Sequence, residues 1–331
     1  MLRGEMMRAL LCEAYGSPEQ LRVGDAPLPE PAEGEVRIRV HAAGLNFPDA
    51  LIIQDKYQVK PTLPFSPGGE AAGVIDKIGR SVTTLKIGDR VAALTTYGSF
   101  AQYVVAKANA TMIVPDCMDM RTAAGFTLTY ATSHYALKHR GNLRAGETVL
   151  ILGAAGGVGL AAVELAKAMG AKVIAAASTD EKLALARRFG ADEGINYSTD
   201  NLRSALSKLT DGVGIDVVLD PVGGPLAEPA FRSLAWGGRH LVIGFAGGNI
   251  PSLPLNLPLL KGASLVGVYW GEFAAREPAL HARNMEELFR LYSEGVLHPH
   301  ISRSYPLDTG TEAIRWMMDR KALGKVIITV E

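Results

Sequence analysis

The chain has 331 residues, which suggests about two domains, each with a sizeable core. Hydrophobic residues make up 48% and charged residues 21%, and 34 Lys and Arg balance 34 Asp and Glu. This is globular composition; zero net charge offers no footing for nucleic acid or an acidic membrane, and no apolar run reaches the length of a bilayer span.

The opening stretch "MLRGEMMRALLCEAYG" lacks the apolar core of a secretory signal. The first strand pattern starts near Met7, leaving residues 1–6 as an upstream start or a loose tail. Cys12 and Cys117 are the only cysteines, too few for a disulfide framework or a four-thiolate zinc site. The expected setting is a reducing, cytoplasmic one.

Residues 8–126 read as mostly β. In "EVRIRVHAAG", Val36, Ile38 and Val40 alternate with Arg37, Arg39 and His41, the period of a half-buried strand. Pro and Gly punctuate the region, and dense short strands suggest a barrel-like domain. Residues 127–270 change texture. "ETVLILG", "KVIAAAS", "DVVLDPVGG", "RHLVIGF" and "SLVGVYW" are apolar strands separated by helices, the mark of a parallel sheet covered on both faces. Ser178, Thr179 or Asp180 caps the helix "DEKLALARRFG", which stops at Gly190. Two helical stretches follow, "ALHARNMEELFRLYSEGVL" and "TEAIRWMMDRKAL". A last strand, "GKVIITV", is expected to return to the first domain.

The segment "ILGAAGGVGLAAVELAKAMG" carries the chemistry. Each glycine costs a helix roughly 1 kcal/mol against Ala, yet Gly153, Gly156, Gly157 and Gly159 crowd the start of one. A strand precedes it and a βαβ pattern follows. There the glycines let a pyrophosphate reach the N–H groups and partial positive charge of a helix start. The loop Gly153, Ala154, Ala155, Gly156, Gly157, Val158, Gly159 is a variant of the dinucleotide fingerprint. About 20 residues on, an Asp or Glu would hold an unmodified ribose. Ala177 and Ser178 stand there instead, with Lys182 one turn later. A hydroxyl and an ammonium suit a 2′-phosphate, so the expected cofactor is NADP(H) rather than NAD(H); the rival reading is a capping hydroxyl and a solvated lysine.

Together with "AAGLNFPDALIIQDKY", "PFSPGGEAAGVIDKIG" and "GKVIIT", in this order, these segments resemble the medium-chain dehydrogenase/reductase superfamily in its zinc-free quinone oxidoreductase (zeta-crystallin-like) branch. The likeness covers the chain from Met7. It implies an α/β fold: a GroES-like β-barrel domain over 1–126, completed by 271–331, and a Rossmann doubly wound parallel sheet over 127–270. The acceptor would bind in the interdomain cleft. Glu164 departs from the pattern, in which Gln is common; a packing effect is expected. Zinc relatives have Cys and His where this chain has Asn46 and Gly69, and no set of about four ligands is evident. His298 and His300 in "LHPHIS" read as a surface turn. Hydride transfer without a metal, to a quinone or an α,β-unsaturated carbonyl, is therefore expected.

The resemblance also implies site residues. Asn46 lies beside nicotinamide and substrate, and Thr132 near the nicotinamide ribose or ring. Lys182 and Tyr197 surround the 2′-phosphate. The loop Gly244, Phe245, Ala246, Gly247 crosses the nicotinamide end, and Arg320 and Lys325 are C-terminal cofactor contacts. Lys325 reads equally as a helix-end or sheet-edge lysine. Asp49 reads as a cap of the short helix after it. Tyr57 matches a proposed proton donor of enoyl-thioester reductases. With an ordinary pKa of ~10 it would hold its proton at pH 7, but it reads equally as a pocket wall. Tyr269 and Trp270 line either the acceptor pocket or a subunit interface. A homodimer with paired Rossmann edge strands is implied. Two rivals stand: an enoyl-CoA or acryloyl-CoA reductase using Tyr57, and an NADPH-binding protein with little catalysis.

Overall fold

The structure is a computed structural model in which residues 5–330 are described. The expectation of a loose tail lies, for residues 1–4, outside the described residues, while Met6 already belongs to the first strand. In chain order the strands are β1 (Met6–Leu11), β2 (Arg22–Pro27), β3 (Glu35–Leu45), β4 (Glu70–Ile78), β5 (Arg90–Leu94), β6 (Tyr103–Lys107), β7 (Thr111–Ile113), β8 (Thr148–Leu152), β9 (Lys172–Ala177), β10 (Glu193–Asn196), β11 (Ile215–Asp220), β12 (Leu234–Val242), β13 (Ser264–Gly267), β14 (Ile301–Pro306) and β15 (Lys325–Thr329). The helices are α1 (Phe47–Ile52), α2 (Met120–His134), α3 (Gly157–Ala168), α4 (Asp180–Arg188), α5 (Leu202–Leu209), α6 (Ala227–Arg232), α7 (Asn256–Lys261), α8 (Trp270–Arg276), α9 (Pro278–Ser293) and α10 (Gly310–Met318).

The chain divides into two compact units, residues 1–128 with 299–331, and residues 129–298. The first is the GroES-like β unit. Its main sheet runs β14-β15-β3-β4-β5-β7, with β6 also paired to β3. Val36, Ile38 and Val40 are buried, with Leu10, Ile75, Val91 and Phe100 in the same core, while Arg39 and His41 are exposed. Arg37 departs from the alternation: it is buried, with its guanidinium paired to Asp76 and Glu30. The last strand pairs antiparallel with β3, Val326 opposite Leu45.

The second unit is a six-stranded parallel sheet, β10-β9-β8-β11-β12-β13, the doubly wound dinucleotide-binding order. Its direction of winding reverses between β8 and β11. Val149, Leu150, Ile151 and Leu152 are all buried, as a strand covered on both faces requires.

Three features differ from the sequence reading. α2 occupies a stretch read as the end of the β domain, and the units divide within it at Leu128/Thr129 rather than at 126/127. Residues 271–298 belong with the second unit rather than the first. Phe273 stacks on Tyr135 with 4.0 Å between ring centroids, Asn284 Oδ1 lies 3.1 Å from His139 Nε2, and Lys138 binds Glu287. β10 was not anticipated because it is four residues long and buries only Ile195 fully.

Candidate cofactor and catalytic site

In the second unit, β8 runs into the glycine loop and α3. Gly153 sits at φ +61°, a left-handed conformation that glycine adopts without strain. At Gly159 a Cβ would stand 2.3 Å from the Gly153 carbonyl oxygen, so only a bare backbone allows this helix to approach the loop so closely. The direction a Cβ would take from Gly156 is open to 3.4 Å. Gly156 is the N-cap and supplies no side-chain oxygen, so the first N–H groups of a twelve-residue helix are left to a ligand anion. Ala154 and Ala155 are buried, and the Ala154 N–H is tied to Ala176 O at 3.1 Å.

At the end of β9, Thr179 is the N-cap of α4 and accepts the Lys182 N–H. Ser178 is thus spared capping, and its Oγ takes a hydrogen bond from Lys182 Nζ at 3.0 Å. The Tyr197 N–H bonds Ala177 O at 3.0 Å. The Tyr197 side chain lines a cavity of about 640 Å³ with Asn201, Arg203, Gly224, Arg232 and Ser252. Asp200 and Glu228 line it as well. Ala177 and Ser178, not an acid, stand at the end of β9, and a hydroxyl with an ammonium can donate hydrogen bonds to a phosphate.

Gly244, Phe245 and Ala246 form a loop after β12, laced to the turn after β11. Ala246 N–H bonds Pro221 O at 3.1 Å and Gly247 N–H bonds Val222 O at 2.8 Å. Asp220 organises this turn and was not anticipated. Its Oδ1 accepts the Val222 and Gly223 N–H groups at 2.9 and 2.7 Å, and its Oδ2 lies 3.0 Å from His240 Nε2, with both side chains buried. The available signal was an acid closing an apolar strand, "VVLDP". Thr132 is buried in α2.

In the first unit, Asn46 is the N-cap of α1 and is 7% exposed. Asp49 does not precede that helix but sits inside its first turn. From there its Oδ2 accepts the Asn46 N–H at 2.8 Å and its Oδ1 the Gly69 N–H at 3.1 Å. Burial pushes the Asp49 carboxyl up to about 7, against the pull of those N–H groups and of Lys325. Asn46 Nδ2 donates to Gly44 O and to Glu70 Oε2, both at 3.1 Å. Lys325 Nζ donates to Asn46 Oδ1 at 2.5 Å and to Glu70 Oε2 at 2.8 Å. Lys325 is therefore buried beside Asn46 at the start of β15, which lies between β14 and β3, and is neither a helix-end nor a sheet-edge lysine. Glu70 was missed; its signal was an acid heading the apolar run "EAAGVI". Tyr57 is half-buried and packs on the apolar core of the same unit, and Arg320 follows α10 at φ +58°.

Glu164 is buried in α3, where it accepts from the Tyr130 hydroxyl and from the His298 N–H, the latter at 2.8 Å. Burial raises its carboxyl, and with the carboxylate it raises the Tyr130 phenol as well. Trp270 is buried edge-on to His281 inside the second unit, whereas Tyr269 is exposed. Among the described residues, no three His, Cys, Asp or Glu side chains are grouped to hold a metal ion. With Asn46 and Gly69 in place of two zinc ligands, the residues present do not fit a catalytic zinc.

Family models described as "Alcohol dehydrogenase GroES-like domain" and "Zinc-binding dehydrogenase" match residues 32–116 and 157–286. Rat quinone oxidoreductase-like protein 2 is 39% identical, over 98% of this chain and 92% of that protein. Pig quinone oxidoreductase is 32% identical, over 98% of each. The structure of Escherichia coli quinone oxidoreductase complexed with NADPH superposes with a TM-score of 0.91, at 29% identity, over 98% of this chain and 99% of that one.

Proposed function

The chain belongs to the quinone oxidoreductase family of the medium-chain dehydrogenases/reductases, and we propose that it is an NADPH-dependent reductase that transfers hydride, without a metal, to a quinone or an α,β-unsaturated carbonyl. The observation that carries this reading is the Ser178–Lys182 pair standing where an acid would select an unphosphorylated ribose. When bound, NADPH supplies the hydride, and one proton from the protein or solvent completes reduction of the acceptor.

In this reading Gly156, Gly157, Val158 and Gly159 present N–H groups to the pyrophosphate. Ser178, Lys182 and Tyr197 hold the adenosine 2′-phosphate end, and the cavity beside Tyr197 gives the base room. Gly244, Phe245 and Ala246 meet the nicotinamide end, Thr132 its ribose or ring, and Arg320 a phosphate or ribose. Asn46 stands beside the nicotinamide. Tyr57 stands at the acceptor, as a wall of its pocket or, in the enoyl-thioester alternative, as its proton donor.

We further propose a homodimer joined along β13. Among the described residues this strand pairs only with β12. Leu265 on β13 (53%), Leu255 (85%) and Leu259 (78%) in the segment before it, and Trp236 on β12 (82%) are exposed. An apolar edge strand is a template for a second copy. No helix among the described residues is long and apolar enough to cross a membrane. We propose a reducing, cytoplasmic setting, consistent with Cys12 and Cys117 forming no disulfide.

The test is NADPH oxidation by purified protein with a para-quinone, an ortho-quinone, a simple enone and a short enoyl-CoA, with NADH as the cofactor control. Turnover of quinones or enones with NADPH supports the reading. Fast turnover of enoyl-CoA alone, lost in Tyr57→Phe, replaces it with an enoyl-thioester reductase. Tight NADPH binding with no turnover of any acceptor replaces it with a binding protein.

A further inference from the structure

The Asn46 amide is held by three charged or polar neighbours. An ammonium donates hydrogen bonds and never accepts them, so the amide atom 2.5 Å from Lys325 Nζ is the oxygen. The nitrogen must then face Glu70 Oε2 and Gly44 O, and both of those are acceptors, so the assignment is consistent on every side. Both amide hydrogens are spent within the protein. The oxygen already accepts from Lys325 Nζ and, with two lone pairs, is the one amide atom that can take a further donor.

The glycine at position 44 leaves room both for α2 and for this pair: a Cβ there would stand 2.1 Å from Ala124 O, 2.7 Å from Glu70 Oε2 and 2.9 Å from Lys325 Cε. Glu70 is 0% exposed, and its other oxygen accepts the Leu128 N–H at 2.9 Å. Lys325 is 6% exposed. A buried ion pair of this kind is a costly way to gain stability, and its best-attested use is to fix one arrangement among several.

We infer that Lys325 is a positioning residue whose ammonium locks Asn46 with its oxygen as the only ligand-facing atom, so that Asn46 accepts an O–H or N–H from the nicotinamide–ribose half of the dinucleotide. This rests on the reading of Asn46 given under Proposed function. Ribose hydroxyls and the nicotinamide carboxamide are donors and match such an oxygen. The carbonyl oxygen of a quinone or enone is an acceptor and finds no hydrogen on Asn46. Asn46 is therefore a holder of the cofactor's reactive half and not the group that stabilises charge on the acceptor.

Lys325→Met alone leaves Glu70 buried without its counter-ion, which threatens folding. The deciding variant is Lys325→Met/Glu70→Gln, which removes both charges together. Three quantities are compared with the parent: dissociation constants for NADPH and for 2′,5′-ADP, the KM and kcat for NADPH oxidation, and hydrogen exchange of the Asn46 side-chain amide by NMR. The expected result is faster amide exchange, NADPH binding about tenfold weaker with a raised KM, and 2′,5′-ADP binding unchanged within about twofold. NADPH binding and KM equal to the parent would overturn the inference. So would a parallel loss of 2′,5′-ADP, which would make the pair a general support of the fold. If the parent protein binds no NADPH at all, the functional reading fails separately, and unaltered amide exchange in the variant would then overturn the positioning role by itself.

Discussion

Replacing Lys182 with Ala probes the cofactor preference most directly. The Lys182 ammonium is 3.0 Å from Ser178 Oγ at the end of β9, and its backbone N–H, not its side chain, completes the cap on Thr179. The substitution therefore leaves the cap in place, and Ala is at least as good a helix former as Lys, so α4 is preserved. A hydrogen bond to a charged group contributes about 1.5–3 kcal/mol. Lys182 is only partly buried, so solvent screening puts its contribution at the lower end, about 1.5 kcal/mol, or roughly tenfold in affinity. The expected outcome is a tenfold rise in the dissociation constant for NADPH with that for NADH unchanged. In the parent protein, the gap between the two cofactors should narrow as ionic strength rises from 10 mM toward ~1 M, because salt screens an exposed phosphate–ammonium pair. Fluorescence titration with both cofactors at two salt concentrations reads this out. Equal weakening of NADPH and NADH, or no change in either, would refute the assignment of Lys182 to the 2′-phosphate.

Gly159→Ala places a Cβ 2.3 Å from a backbone oxygen, which must move. A loss of about 1–3 kcal/mol in urea unfolding is expected, with weaker binding of NADPH and NADH alike; an unchanged midpoint would show that the loop yields easily. His134 is 1% exposed, and its Nε2 lies 3.3 Å from the Glu287 carboxylate without a well-aligned hydrogen bond. Burial lowers its pKa to about 4, although Glu287 pulls it upward. The unfolded chain takes up this proton near pH 6.5, so the contribution is full above that value and is lost as pH falls toward 4, by about 3 kcal/mol. Unfolding of His134→Leu at pH 7 and pH 4.5 should show a flatter acid limb, and an unchanged limb would exclude His134 as its source. Leu265→Lys on β13 should convert the proposed dimer to monomer in light scattering; a parent that is itself monomeric, or a variant that stays dimeric, would remove β13 from the interface.

Much of the second unit was legible because its signals are local. An apolar run such as "TVLIL", then glycines, then a helix, fixes β8 and α3 within about twenty residues. α2 was harder to see. Its sequence "MRTAAGFTLTYATSH" is small, β-branched and buried along much of its length, so it lacks a polar face to mark the helical period. The Ser178–Lys182 pair spans four positions and could be read from the sequence. The Lys325–Glu70 pair spans 255 and could not, because only the pairing of β15 with β3 brings Lys325 to Asn46 and Glu70. Residues 271–298 were misplaced for a related reason: the aromatic, polar and ionic partners of α8 and α9 lie more than a hundred residues upstream, at Tyr135, Lys138 and His139.

The strand β15 also sets the order in which the protein can be completed on the ribosome. β3 emerges well before the partner for its Ala42–Leu45 end, which is Val326–Thr329 of β15. At about 5–20 residues per second, that end waits roughly a quarter of a minute to a minute for its partner. The second unit is continuous in the chain and can fold during that interval, whereas the first cannot close its sheet. Meanwhile the nascent chain carries an open strand end and a Glu70 carboxylate whose counter-ion has not yet been made. A chain that lacks Lys325–Thr329 would thus keep an unfinished first unit, a natural substrate for chaperones and proteases.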